Sequence, residues 1–158
     1  IHSARANQVV KEALEGGLIS GFEAYPDVRT EVKYGHGSRA DLVLEGRAGR
    51  VFVEVKSVTL CDGSGQGLFP DAVSDRGRKH LRELAEVRDE QTRAVMFFCA
   101  LHDGVERVSA AGQIDPKYRD TLEQVMGQGV EVMAWGARIS LDGLRLVRPL
   151  PFSLDPQE

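Results

Sequence analysis

The sequence lacks the features that would place it in a membrane or outside the cell. No stretch approaches the ~18 consecutive apolar residues that a membrane-spanning helix needs, and the N-terminus has no apolar run typical of a secretory signal peptide. The only two cysteines, Cys61 and Cys99, lack the spacing of a metal site, which predicts free thiols. We therefore expect a cytoplasmic protein without membrane contact.

The chain also carries fewer positive than negative charges. The chain has 20 Lys and Arg against 24 Asp and Glu, a formal net charge of -4. Non-specific nucleic-acid binding comes mainly from Lys and Arg side chains that neutralise phosphates. Any nucleic-acid site in this chain must therefore be a local basic patch.

The spacing of apolar residues predicts a mixed α/β fold, with a central mixed sheet flanked by helices in a single domain over 1–158. The core is expected at 6–150, the glycine-rich stretch 61–67 as a mobile hinge or lid, and 151–158 as a proline-bearing tail. The first three strands form an antiparallel meander, and 94–101, apolar almost throughout, is a central strand. Helices are predicted at 6–14, 74–87 and from Asp115-Pro116 to Gly127, and strands at 28–34, 39–44, 51–60, 94–101, 130–139 and 144–147.

Two carboxylates and a lysine fall on one face of this meander. A turn of two or four residues within 46–49 pairs positions whose numbers add up to 95, which sets Asp41 opposite Glu54. Opposed side chains on antiparallel strands have Cβ atoms ~4.5–5.5 Å apart. Lys56 shares their face, whereas Val51, Val53 and Val55 point into the core and fix the register.

This trio predicts a metal site. Two carboxylates at ~5 Å repel by about 3 kcal/mol at an effective dielectric of roughly 20, so compensating charge is expected. Lys56 supplies part of it, and Mg²⁺ or Mn²⁺ held by Asp41, Glu54 and the main-chain carbonyl of Val55 would supply more. Such an ion activates water for phosphodiester hydrolysis, while Lys56 orients or deprotonates the nucleophile or binds the phosphate. The alternative is a solvated strand face with a weak Glu54–Lys56 pair.

Four segments carry a family resemblance that covers nearly the whole chain: Glu31-Val-Lys-Tyr-Gly, Ser38-Arg-Ala-Asp41, Val53-Glu-Val-Lys-Ser57 and the long run from Phe69 to Leu81. Together they resemble the sugar fermentation stimulation protein A family, and Asp41 with Glu54-Val-Lys56 matches the short signature of PD-(D/E)xK nucleases. The resemblance implies a restriction-endonuclease-like core in a DNA-binding protein linked to sugar metabolism. It also implies an N-terminal OB-like domain, which this chain is expected to lack.

The resemblance leaves two functions open: a Mg²⁺-dependent endo- or exonuclease, and a DNA-binding regulator of sugar-utilisation genes that does not cleave. In either case Arg39, Arg76, Lys79 and His80 are candidates for phosphate binding, although an ordinary solvated helix face explains the last three equally well. RNA stays open as a substrate and a homodimer as an assembly.

Other polar residues near the trio have simpler explanations. We interpret His36 as an exposed turn residue outside the catalytic set. A turn at 35–38 would set Val32 rather than Glu31 opposite Asp41, which leaves Glu31 without an assigned role. Glu12 and Glu15 on the first helix are further candidate carboxylates, though glutamates on a helix surface are usually solvated.

Overall fold

The structure, a computed structural model, describes residues 2–157 of the chain and the side chains of 3–157. Its three helices are α1 (His2–Glu15), α2 (Asp75–Val87) and α3 (Pro116–Gly127). Its strands are β1 (Asp27–Tyr34), β2 (Ser38–Gly46), β3 (Gly49–Val58), β4 (Leu60–Cys61), β5 (Gln66–Phe69), β6 (Thr92–Ala100), β7 (Arg107–Ala110), β8 (Glu131–Ser140), β9 (Gly143–Leu150) and β10 (Phe152–Ser153). The mixed α/β class is confirmed.

The main sheet has six strands in the order β1-β2-β3-β6-β8-β9. Strands β1, β2 and β3 form the predicted antiparallel meander. Strand β6 lies between β3 and β8 and runs parallel to both, while β9 returns antiparallel to β8. The apolar run at 94–101 is thus a central strand of a mixed sheet, as its composition indicates.

The two faces of this sheet are covered by different helices. Val51, Val53 and Val55 of β3 pack with Val9 and Val10 of α1 in one core. The opposite face packs against α2 and α3 in a second core. The alternation predicted for β3 is confirmed, so Glu54 and Lys56 project away from α1 and toward α2.

A second, four-stranded sheet was not predicted. It has the order β10-β7-β5-β4. The stretch 61–67, predicted as a mobile hinge or lid, instead connects β4 to β5 in a tight turn, where Asp62 accepts hydrogen bonds from the main-chain N–H groups of Ser64 and Gln66. Strands of two to four residues carry too few side chains for their alternation to be recognised.

The segment after residue 150, predicted as a tail, joins the fold. Strand β10 pairs with β7, and the ring of Phe152 stacks on Phe98 of β6 at 5.4 Å between centroids. Asp155 accepts two hydrogen bonds from the Arg119 guanidinium on α3. The prolines there limit regular structure but do not prevent packing.

The prediction for the two cysteines is confirmed. Cys61 and Cys99 are free thiols, and burial raises the pKa of the Cys99 thiol to about 12. None of the described helices has both the length and the apolar character needed to cross a membrane.

Candidate functional site

One cleft with a volume of about 990 Å³ opens between α1, the β2–β3 pair and α2. All eight residues predicted for the site line it, although they come from three separate elements. They are Asp41, Glu54, Val55, Lys56, Arg39, Arg76, Lys79 and His80. The fold therefore brings the predicted acidic, basic and main-chain groups into one place.

Asp41 lies where the pairing of β2 with β3 ends. The register is the predicted one, from Gly46 opposite Gly49 to Leu42 opposite Val53. The ladder goes no further, so the predicted direct pairing of Asp41 with Glu54 is wrong in its last step. Instead, the Asp41 carboxylate fills the position of the next ladder bond, and its Oδ2 accepts a hydrogen bond from the main-chain N–H of Val55 at 2.8 Å.

The Asp41 carboxyl is a weaker acid than usual. Burial raises its pKa from the ordinary 3.8 to about 6, and the negative charge of Glu54 adds to the rise. Hydrogen bonds from Val55 and Asn7 and the charge of Lys56 oppose it without cancelling it. The positive charge of Lys56 therefore does not offset the combined effect of burial and of the Glu54 charge on Asp41.

Glu54 is 4% exposed and uses only one of its carboxylate oxygens. Its Oε2 lies 3.0 Å from Nζ of Lys56 and 3.2 Å from Nδ1 of His80. Burial alone would raise the pKa of Glu54, but the hydrogen bond with His80 and the charge of Lys56 hold it below its ordinary value. Glu54 Oε1 is buried and has no hydrogen-bond partner in the described part of the chain.

His80 lines the cleft, in keeping with the first of the two alternatives left open for this face of α2. The other alternative, an ordinary solvated helix face, does not fit His80 or its neighbour Glu83, which are only 8% and 4% exposed. Nδ1 of His80 also lies 3.0 Å from Nζ of Lys56, so it either accepts from Lys56 or donates to Glu54. The polar face of α2 packs over the polar cleft. The spacing of polar residues along a helix cannot distinguish such a face from one exposed to water.

Glu83 ties α2 to the turn between β1 and β2. Its carboxylate accepts hydrogen bonds from the Ser38 hydroxyl at 2.5 Å and from the main-chain N–H of His36 at 3.0 Å. These bonds hold the pKa of Glu83 below its ordinary value against the effect of its burial. Glu83 thereby fixes the start of β2, the strand that carries Arg39 and Asp41, and His36 itself is an exposed turn residue as predicted.

Three exposed cations stand at the rim of the cleft. Arg76 and Lys79 project from α2, and Nζ of Lys79 reaches the main-chain carbonyl of His36 at 3.4 Å. Arg39 on β2 lies 3.6 Å from Glu31. All three were predicted as candidates for the local basic patch that nucleic-acid contact would require.

Glu31 stands closer to the site than predicted. Tyr34 pairs with Ser38 across a turn of residues 35–37, one residue shorter than assumed, so Val32 pairs with Ala40 and the same register sets Glu31 opposite Asp41. Glu31 has φ 57°, an arrangement that costs about 1–3 kcal/mol and is common at functional sites.

The carboxylates of α1 lie elsewhere. Glu15 pairs with Lys11 at 3.1 Å, and exposed Glu12 does not line the cleft.

The donor set fits a hard divalent cation with few protein ligands. Within the described residues, no three or more His, Cys, Asp or Glu side chains are grouped so that they could hold a metal. Two carboxylates, those of Asp41 and Glu54, do line the cleft, and Oε1 of Glu54 is buried with no hydrogen-bond partner among residues 2–157. Mg²⁺ is usually bound through one or two carboxylates, with waters and substrate oxygens completing its shell. These residues therefore suit Mg²⁺ better than a metal that needs a full protein cage.

The contact between helix α1 and Asp41 was not predicted. Asn7 of α1 donates a hydrogen bond from Nδ2 to Oδ1 of Asp41 at 3.1 Å. It lies three residues before Val10 and seven before Leu14, at the border of the apolar stripe of α1. A polar residue beside a buried stripe is the signal that could have pointed to it.

Comparisons of the sequence with known proteins all identify the same family. Residues 4–143 match the model of the sugar fermentation stimulation protein RE domain. The chain is 47% identical over 152 residues to the sugar fermentation stimulation protein homolog of Marinomonas sp. (strain MWYL1), covering 96% of this chain and 59% of the relative. It is also 47% identical over 156 residues to the homolog of Pseudomonas paraeruginosa (strain DSM 24068 / PA7), covering 98% and 66%.

A solved structure has the same fold. The structure of Pyrococcus furiosus SfsA in complex with Ca²⁺ matches with a TM-score of 0.85 and 27% identity, covering 94% of this chain and 64% of that one. The chain thus spans about two thirds or less of each of these relatives. On the family model and the identity of these relatives, the chain belongs to the sugar fermentation stimulation protein family.

Proposed function

We propose that the cleft hydrolyses phosphodiester bonds in DNA and depends on a divalent cation, Mg²⁺ or Mn²⁺. The observation that carries this proposal is the Glu54 carboxylate. It is buried, one of its oxygens has no hydrogen-bond partner among the described residues, and the half-buried carboxylate of Asp41 lines the same cleft. A buried acceptor left unpaired costs about 1–3 kcal/mol or more. A cation would satisfy this oxygen and neutralise the charge shared with Asp41.

Each residue of the cleft has a part in this function. Asp41, Glu54 and the main-chain carbonyl of Val55 hold the cation, which when bound supplies Lewis-acid activation of water and of the phosphate. Lys56, held by Glu54 and His80 at 3.0 Å each, contacts the scissile phosphate or the attacking water. Arg39, Arg76 and Lys79 at the rim bind the flanking phosphates.

The relative whose structure was solved in complex with Ca²⁺ supports cation binding by this fold. Ca²⁺ and Mg²⁺ are both hard cations that prefer oxygen ligands. We infer that this chain binds its cation in the cleft of Asp41 and Glu54. In the longer relatives, an additional OB-like domain would provide further DNA contacts, which suits a rim of only three exposed cations.

The test is metal-dependent cleavage. Supercoiled, linear and single-stranded DNA, with RNA in parallel, are incubated with the protein in Mg²⁺, Mn²⁺ or EDTA. We expect cleavage of DNA that EDTA abolishes and that Glu54→Gln lowers by at least about 100-fold, since the amide removes a charge from the ion. Glu45→Gln is the matched control, because Glu45 lies on β2 outside the cleft and bonds only Arg29.

Two results would contradict hydrolysis. If Glu54→Gln cuts as fast as the unaltered protein, the activity does not come from this cleft. If the folded protein binds DNA and Mn²⁺ but leaves every substrate intact, the non-cleaving DNA-binding regulator becomes the better explanation.

A further inference from the structure

Asn7 of α1 and Val55 of β3 each donate a hydrogen bond to the Asp41 carboxylate. Oδ1 of Asp41 accepts from the Asn7 amide at 3.1 Å, and Oδ2 accepts from the Val55 N–H at 2.8 Å. Each carboxylate oxygen thus has one donor and keeps lone-pair capacity for a further contact. Asn7 lines the same cleft as Glu54.

The contact with Asp41 fixes which way the Asn7 amide points. An ionised carboxylate only accepts hydrogen bonds, so the NH₂ group must face Asp41. The amide oxygen, Oδ1, then points to the other side of the amide. There it is buried and has no hydrogen-bond partner among the described residues.

Two oxygens on residues of the cleft therefore lack a hydrogen-bond partner in the described part of the chain. They are Asn7 Oδ1 and Glu54 Oε1, and both residues line the cleft. A buried amide oxygen without a donor costs about 1–3 kcal/mol, and a role limited to holding Asp41 would need only the NH₂ group. Amide oxygens are ordinary ligands of hard divalent cations.

We propose that Oδ1 of Asn7 is a third oxygen ligand, directly or through a bound water, of the cation held by Asp41 and Glu54. The inference rests on the proposed function, because it assumes that this cleft binds a divalent cation. Helix α1 gives the ligand a rigid base, since the neighbouring Val9 and Val10 are packed in the core against β3. Through Asn7, helix α1 would contribute a ligand to a cation site whose predicted ligands all lie on strands.

The test compares Asn7→Ala with Asn7→Asp by calorimetric titration of the metal-free protein with Mn²⁺ and Mg²⁺. Alanine removes the oxygen, so we expect the affinity to fall by about 10-fold to 100-fold. Aspartate keeps an oxygen at the same place, so its affinity should equal or exceed that of the unaltered protein. Ser3→Asp is the control, because exposed Ser3 lines the same cleft and receives the same charge; it should change the affinity little.

Three outcomes would overturn the inference. Unchanged affinity in Asn7→Ala would show that the oxygen binds no cation. Equal losses in Asn7→Ala and Asn7→Asp would reduce Asn7 to a residue that positions Asp41. Equal gains in Asn7→Asp and Ser3→Asp would show that added charge alone explains the affinity. The proposed cation site itself fails in a distinguishable way, since the unaltered protein would then bind neither ion.

Discussion

Replacing Lys56 with methionine should lower the rate of phosphodiester cleavage by about 100-fold to 1000-fold while leaving Mn²⁺ binding in place. Nζ of Lys56 is the cation nearest the acidic pair, 3.0 Å from Glu54 Oε2, and its side chain is only 19% exposed. A fixed charge in such a partly desolvated place stabilises charge developing on phosphorus far more than it would in water. Methionine keeps the length and removes the charge.

Single-turnover cleavage rates and Mn²⁺ titrations of the same preparations separate the two effects. Lys79→Met is the matched control, since Lys79 is exposed at the rim and its one hydrogen bond within the described residues is to the His36 carbonyl. Its loss should weaken DNA binding and reduce the salt dependence of that binding, with little change in the cleavage rate at saturation. A Lys56→Met protein that cleaves at the normal rate would remove Lys56 from the chemistry.

Replacing Asp41 with asparagine should stabilise the metal-free protein by about 2 kcal/mol at pH 8. The folded-state pKa of Asp41 is about 6 against an ordinary 3.8. At ~1.4 kcal/mol for each pKa unit this difference is worth about 3 kcal/mol, which we reduce because the carboxyl is partly exposed. Asparagine removes the charge, and the Asn7 amide can rotate to present its oxygen to the new NH₂ group.

The destabilisation caused by the Asp41 charge depends on pH. Below about pH 4 the Asp41 carboxyl is protonated in both states and costs nothing. Between about pH 4 and pH 6 the unfolded chain loses the proton while the folded protein keeps it, so stability falls as pH rises, and above about pH 6 the full cost remains. The advantage of Asp41→Asn should therefore grow from pH 4 to 6 and then level off. Glu54, whose pKa is lowered, contributes oppositely and loses its contribution only in acid.

Urea unfolding of the unaltered protein and of Asp41→Asn from pH 4 to 8, with EDTA and then with Mn²⁺, measures these differences in stability. Mn²⁺ at about 100 times its dissociation constant should add about 2.7 kcal/mol to the unaltered protein and much less to Asp41→Asn. A variant less stable than the parent at pH 8 in EDTA would mean that the Asp41 charge is not a cost. A variant equally stabilised by Mn²⁺ would place the cation elsewhere.

Local patterns predicted the part of the fold that holds the acidic pair. The alternation of Val51, Val53 and Val55 and the short turn after β2 set the β2–β3 register, which the structure confirms. The apolar composition of 94–101 likewise identified the central strand β6. These features depend on neighbouring residues, and neighbouring residues are what a sequence pattern records.

The parts that were missed depend on long-range packing. The sequence left the burial of His80 open, and it follows from the packing of α2 over β3. Asn7 reaches Asp41 because α1 packs on the sheet, and the only local signal of this contact is its place beside the apolar stripe of α1. Glu31 was misplaced by a single residue in the length of a turn. A one-residue error in the length of a turn shifts the pairing partner of every residue in the strand. A strand register can therefore be predicted only when the length of the turn is known.

The most direct test of the proposed site is the position of Mn²⁺ in crystals of this protein grown with the ion, located by its anomalous scattering. We expect a peak in the cleft about 2 Å from Oε1 of Glu54 and from one carboxylate oxygen of Asp41. A peak there would establish the two carboxylates as the cation site on which hydrolysis is proposed to depend. A peak that touches neither carboxylate, or a cleft without Mn²⁺ in crystals that hold it elsewhere, would contradict that site.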